Sequence, residues 1–319
     1  MSKIYNLQLF AELNTLTTGT STLSPEMKNF YSDYLIDNAV PKLVHDQFGQ
    51  KHPIPKNGGK TIEFRKYSPL GKALSPLVEG VTPDGQSLTV TTIEATVAQY
   101  GGYVTLSDML LLTAIDNNLV QATKLLGNQA GATLDTITRE VLIGGSNVRY
   151  GGNAAGQAAA GKLTVDDIRR AARYLKVQNA DKIGDSYVAI IHPDVSYDLM
   201  SDPAWEAVKE YDPKDWYEGE IGRIAGVRFV ETTEAKVKET DNGAIYCTLI
   251  LGENAYGVTE IEGGGLQHIV KQLGSAGTGD PLDQRATVGW KATKVAERLV
   301  EQFMIRIESK GSFDDVLYN

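Results

Sequence analysis

The chain has 319 residues, 42% of them hydrophobic, which is enough to bury two ordinary domains or one domain with long excursions. Its 31 Lys and Arg stand against 40 Asp and Glu, and no run of five or six like charges forms a tail, so a tight, sequence-independent grip on nucleic acid is disfavoured. One cysteine, Cys247, excludes an intrachain disulfide, and no stretch approaches eighteen uninterrupted apolar residues.

The first residues, MSKIYNLQLFAELN, lack the small-residue cleavage site of a secretion signal, so a soluble, intracellularly made protein with no membrane partner is expected. Residues 14–24, NTLTTGTSTLS, are polar and aperiodic, and nothing local would hold them. From Ser24 the sequence predicts a capped helix with Pro25 at its first position, broken at Pro41.

Residues 61–67, TIEFRKY, and 88–99, LTVTTIEATVAQ, alternate polar and apolar residues, while 68–87 between them hold three prolines and a set of Gly and Asp turn formers. This pattern predicts a long two-stranded excursion with an elaborate tip. An isolated hairpin is at best marginally stable in water, so the ribbon should lie on a neighbour, for instance another copy of the chain.

In the stretch LSDMLLLTAIDNN Ser107 is placed as a cap, and a longer helix is predicted from Asp116 as N-cap to Ile143, with Gly144 and Gly145 as its stop. Apolar or small residues at 119, 122, 126, 130, 134, 137 and 141 put one stripe of it toward a core. Gly127 and Gly131 weaken its intrinsic propensity, so packing must hold it.

After a Gly/Ala-rich loop over 144–161, Thr164 and Asp167 form a capping box for a helix whose inner face is Val165, Ile168, Ala172 and Leu175. Then SYVAIIH, GVRFVET, AIYCTLILG and LQHIVKQL read as strands, with short helices over PDVSYDLM and AWEAVKEY. Together these make a compact α/β or α+β subdomain. The end, QRATVGWKATKVAERLVEQFMIRIES, reads as two strands, with AERLVEQF also compatible with a helix.

No motif supplies catalytic chemistry. GQAAAGKLT at 156–164 misses the phosphate-loop pattern because Leu163 stands where a hydroxyl should follow Lys162, and Thr164 is already a helix cap, so slack from Gly156 to Gly161 and a solvated Lys162 are expected. A nucleotide-dependent enzyme using this loop is the rival from a different class. GSAGTGDP at 274–281 leads into a proline rather than a helix and reads as a surface loop. His45, His52, His192 and His268 fall in no zinc pattern, His192 reading as a cap, and Cys247 reads as an inert core thiol. Asp166, Asp167, Asp212 and Asp215 are ordinary helix-start and turn carboxylates, so neither a metal nor a cofactor is expected.

The order of parts, with the segments IYNLQLFA, TLSDMLLLTAIDNNLVQATKLLGNQAGATLDTITREVLIGG, VAIIHPDVSYDLMSDPAW, GEIGRIAGVRFVETTEA and DPLDQRATVGWKA, resembles the major capsid proteins of tailed double-stranded DNA bacteriophages. The resemblance spans nearly the whole chain. It implies an α+β fold with 1–55 as N-terminal arm, 56–105 as extended β-hairpin loop, 106–164 as peripheral domain with the spine helix, 165–265 as axial domain and 266–319 as a return to the peripheral domain. It further implies a non-enzymatic subunit that self-assembles into hexamers and pentamers of an icosahedral shell, in the virion and built in the host cytoplasm, around double-stranded DNA that it does not bind specifically. Arg65, Lys66, Lys72, Glu79 and Asp84 are the expected inter-subunit contacts. Separate scaffolding, portal and decoration proteins are the further partners it allows for, and a bacterial encapsulin-like compartment shell is the alternative of the same fold.

Overall fold

The fold is seen in a computed structural model that describes residues 15–16, 44–67, 70–74, 76, 79–80, 82, 85–113, 118–152, 161–205, 222–240, 243–275 and 279–313. In chain order the elements are β1 (Thr15–Leu16), β2 (Gln50–Lys51), β3 (Thr61–Tyr67), β4 (Val90–Thr96), β5 (Ala98–Ser107), α1 (Asp108–Thr113), α2 (Asn118–Ile143), β6 (Val148–Tyr150), α3 (Val165–Val177), β7 (Tyr187–Ile191) and α4 (Pro193–Met200). There follow β8 (Arg223–Ile224), β9 (Val227–Glu231), β10 (Val237–Thr240), β11 (Gly243–Leu251), β12 (Tyr256–Thr259), β13 (Gln267–Lys271), β14 (Arg285–Arg298) and β15 (Met304–Lys310). The predicted helix from Ser24, the Asp116 cap and most of AWEAVKEY lie outside the described residues.

The chain forms two compact units, and the division falls inside α2 after Leu134 and inside β14 after Thr293. In the first unit the strand order is β1, β5, β14, β13, with β1 parallel to β5 and β13 antiparallel to β14. The strands β5 and β14 approach so closely that a Cβ on Gly289 would stand 2.8 Å from the Tyr103 Cβ and 2.9 Å from the Gly102 carbonyl oxygen, so only glycine fits. Ser107 caps α1 as expected, its Oγ accepting from the Leu110 amide at 3.3 Å. The first half of α2 buries Ala122, Leu126, Ala130 and Leu134, which is the predicted stripe, and the Trp290 indole donates to Gln129 at 3.1 Å.

The second unit is built on a mixed sheet in the order β6, β15, β11, β7, β9, β8, with β10 pairing β11. Its centre, YVAII of β7, is buried throughout, which is why it reads as a continuous apolar run. Alternation sends Tyr187, Ala189, Ile191, Tyr246, Ile250, Ile305 and Ile307 to one face, where Val165, Ile168, Ala172 and Leu175 of α3 and Val195 and Leu199 of α4 cover them. Ile190, Cys247, Leu249, Leu251 and Met304 go to the other, against Leu142 and Ile143 at the end of α2. The α3 capping box forms as read, and the Asp167 carboxylate also accepts from the Gly152 amide at 3.1 Å. The sheet takes β6 and β15 from outside 165–265. AERLVEQF is no helix: Ala296 to Arg298 finish β14, and only a single 3-10 turn, Glu301–Phe303, follows.

The buried stripe of α2 departs from its prediction after Leu134. Ile137 and Val141 are only half-buried, whereas Asp135, Thr138, Arg139, Leu142 and Ile143 are fully buried. The polar members are matched to partners. Asp135 accepts the His45 amide at 2.8 Å and lies 2.6 Å from His45 Nδ1. The Thr138 hydroxyl donates to Asp46 at 2.5 Å, and Lys294 bonds the other Asp46 oxygen. Arg139 donates to the Glu234 carbonyl at 2.7 Å and to Glu140 at 2.9 Å. Burial lowers the Lys294 pKa from the usual lysine value, with Asp46 and Asp135 opposing the change.

Three substitutions test these features. Gly127 sits in α2 with nothing within 4 Å of the place a Cβ would take, so Gly127→Ala should raise the stability of the subunit by about 1 kcal/mol in urea unfolding. Removing one member of a buried pair leaves its partner's charge uncompensated, so Asp46→Leu should cost roughly 3–5 kcal/mol, and adding Lys294→Met should recover part of that loss.

Candidate interaction surface

β3 and β4 pair antiparallel in one unbroken register, from Thr61 opposite Thr96 to Tyr67 opposite Val90. Side chains alternate across this ribbon. One face carries Ile62, Phe64, Ile93 and Ala95, and the other carries Glu63, Arg65, Tyr67, Val90, Thr92 and Glu94. Glu63 stands directly opposite Glu94, a repulsive pair that Arg65, 3.7 Å from Glu63, offsets in part.

Burial is confined to the base. Phe64 and Ala95 are buried, with Ile62 and Ile93 half-buried beside them. The Phe64 ring lies on Gly257 of β12, where a Cβ would come within 2.8 Å of it, and His52 meets the ring edge-on at a 6.2 Å centroid separation. A groove of about 500 Å³ runs beside this contact, lined by His52, Ile62, Phe64, Ile93, Asn254 and Leu299 among others. The ribbon therefore rests on its own chain at the base, and the neighbour expected for it is in part supplied by β12. Further out the apolar residues are bare: Tyr67 is 60% exposed, Leu70 55%, Leu88 67% and Leu74 83%.

Of the residues singled out in the sequence, Arg65 is exposed on the polar face and Lys66 is half-buried on the Phe64 face. Lys72 and Glu79 are exposed beyond β3, and Asp84 lies outside the described residues. The structure brings Arg65 to Glu63 and gives Lys72 and Glu79 no ion pair among the described residues. The charges were easy to see, whereas the apolar Tyr67, Leu70, Leu74 and Leu88 were missed. Their signal was present, as leucines in a Pro- and Gly-rich tip with no periodic partner to bury them.

The other sequence candidates resolve into structure. Gly156 lies outside the described residues. Gly161 is no slack: its amide donates to Gly151 at 3.2 Å and its carbonyl accepts from Lys310 at 2.9 Å. Leu163 is a core residue, and Lys162 is exposed as expected, with its ammonium 3.2 Å from the buried Asp198 carboxylate. That carboxylate also accepts the Ser312 amide at 2.9 Å. His192 caps α4, its Nδ1 accepting from the Asp194 amide at 3.3 Å; burial lowers its pKa and Asp194 opposes this. Burial pushes the Cys247 thiol up to about 11, away from thiolate reactivity. Near Gly279, Asp280 is buried and accepts the Arg285 amide at 2.8 Å, so the end of that loop is tied down. Among the described residues no group of three or more His, Cys, Asp or Glu could hold a metal ion, and no helix is long and apolar enough to cross a membrane.

The α+β arrangement of a two-stranded ribbon, a long helix and a helix-covered mixed sheet is the fold of solved phage capsid proteins. The solved capsid of Cyanophage P-SCSP1u superposes with a TM-score of 0.69 at 15% identity, over 92% of this chain and 96% of that one. The capsid of Ralstonia phage GP4 gives 0.67 at 15% identity, over 92% and 98%. The capsid of Cyanophage Pam1 gives 0.64 at 17% identity, over 88% and 94%. No curated protein matches the chain significantly.

Residues 90–300 match the family model described as phage capsid protein, and the chain belongs to that family. It is a structural shell subunit, and the encapsulin-like alternative is not favoured. The anchoring of the ribbon is directly testable: Phe64→Ala removes its one large buried side chain, at a cost of roughly 3 kcal/mol, and should speed limited proteolysis within 61–96 while α3 and β7 stay protected.

Proposed function

We propose that copies of this chain assemble into hexamers and pentamers of an icosahedral shell enclosing double-stranded DNA. The observation that carries this reading is the ribbon: its base is buried on its own chain, while Tyr67, Leu70, Leu74 and Leu88 project uncovered. Exposed apolar side chains on a two-stranded element favour a partner surface, and a second copy is the partner always present at the concentration of the chain itself. Arg65, Lys66, Lys72, Glu79 and Asp84 then act as a polar rim that fixes register, with the apolar residues supplying most of the free energy.

The five-segment division, with 165–265 as the axial domain near a symmetry axis, belongs to the same reading. So do assembly in the host cytoplasm, operation without enzymatic turnover, and the help of separate scaffolding, portal and decoration proteins. Specificity matters here because exposed strand edges otherwise pair indiscriminately.

Deleting residues 68–87 should leave a folded subunit, judged by circular dichroism and cooperative unfolding, that forms no shells in sedimentation and electron microscopy. Normal particles from that deletion would contradict the inter-subunit role of the ribbon tip.

A further inference from the structure

The exposed face of α3 concentrates positive charge on a chain whose formal net charge is -9. Arg169, Arg170, Arg173 and Lys176 are all exposed, opposite the buried Val165, Ile168, Ala172 and Leu175. Arg170 is matched by Asp166 at 2.6 Å, but Arg169, Arg173 and Lys176 have no ion pair among the described residues. These three recur at four- and three-residue steps, so they fall within an arc of about 60° and span roughly 10 Å along the helix.

One neighbouring element adds to the patch. Arg149 of β6 places its guanidinium 5.3 Å over the ring of Tyr174 in α3, an arrangement that holds the charge at the helix edge.

We propose that this face of α3 is a binding surface for the phosphates of duplex DNA, and so the part of the subunit that meets the packaged genome. The proposal rests on the shell reading above. Measured along the duplex axis, roughly 10 Å corresponds to about three phosphate steps of one strand. The face also offers little of what a protein-docking helix needs: positions 166, 169, 170, 173 and 176 are all charged, and its one exposed apolar side chain is Val177 at the end of α3. Arginine predominates, and its planar fork suits phosphate oxygens. The acidic remainder of the chain keeps each contact weak, and many copies on one wall would multiply it without a tight grip at any one subunit.

The test measures binding of a short fluorescent DNA duplex of random sequence to purified subunits across a salt series, with shell formation followed separately by sedimentation. Arg169→Gln, Arg173→Gln and Lys176→Gln combined should weaken binding by roughly tenfold or more and reduce the slope of log affinity against log salt by about 3. Arg173→Gln alone should reduce that slope by about 1. A control that removes the same charge elsewhere, Lys51→Gln, Lys56→Gln and Lys60→Gln, at three exposed positions, should leave both nearly unchanged. Equal losses in the two triple variants, or no loss in either, would overturn the proposal. So would an α3 variant that binds DNA like wild type but no longer forms shells, since the face would then be a contact between copies. Failure of the wild type to form shells while the α3-specific DNA effect persists would count against the shell reading and not against this surface.

Discussion

A two-stranded ribbon cannot bury its own faces, and the consequences of that limit run through the rest of the structure. β3 and β4 satisfy each other's backbone groups in a single register, yet their apolar burial is confined to the base, where the Phe64 ring lies on the bare backbone of Gly257 and Ala95 is buried beside it. The chain fixes the angle of the ribbon at its base and leaves its outer half with exposed leucines. Stability of that outer half has to come from elsewhere, and its exposed apolar side chains favour a partner surface.

An anchored base requires a rigid body to anchor on. In the second unit that rigidity comes from the mixed sheet covered on both faces, and from a set of buried charges that would be costly if left unmatched. His45 and Asp46 meet Asp135 and Thr138 of α2, Lys294 closes on Asp46, and the Tyr256 hydroxyl donates to the His45 carbonyl. Matched buried pairs add little net stability compared with apolar packing, but any misplacement strands a charge, so they select one arrangement of these segments.

Much of this was legible in the sequence because it depends on local chemistry. The capping box of Thr164 and Asp167, the Ser107 cap, the glycine stop after Ile143 and the alternation of TIEFRKY all specify structure within a few residues. The second half of α2 was not legible: Asp135, Thr138 and Arg139 look solvent-facing by polarity, and only partners about ninety residues away in sequence make their burial favourable. The pairing of the exposed Lys162 with Asp198 was not legible for the same reason, since Asp198 is remote in the chain. At the candidate surface, charged residues drew notice because they stand out in a strand, while Tyr67 and Leu74 passed as ordinary apolar positions until their exposure was seen. The shell family itself was readable from the order of parts, because that order extends over nearly the whole chain.

The central claim is that the outer ribbon is stabilised by a second copy and its base by its own chain. Amide hydrogen exchange compared between free subunits and assembled shells tests it most directly. The account predicts that amides near Tyr67 and Val90 gain strong protection on assembly while those beside Phe64 and Ala95 change little. Equal exchange at the outer ribbon in the two states would contradict it.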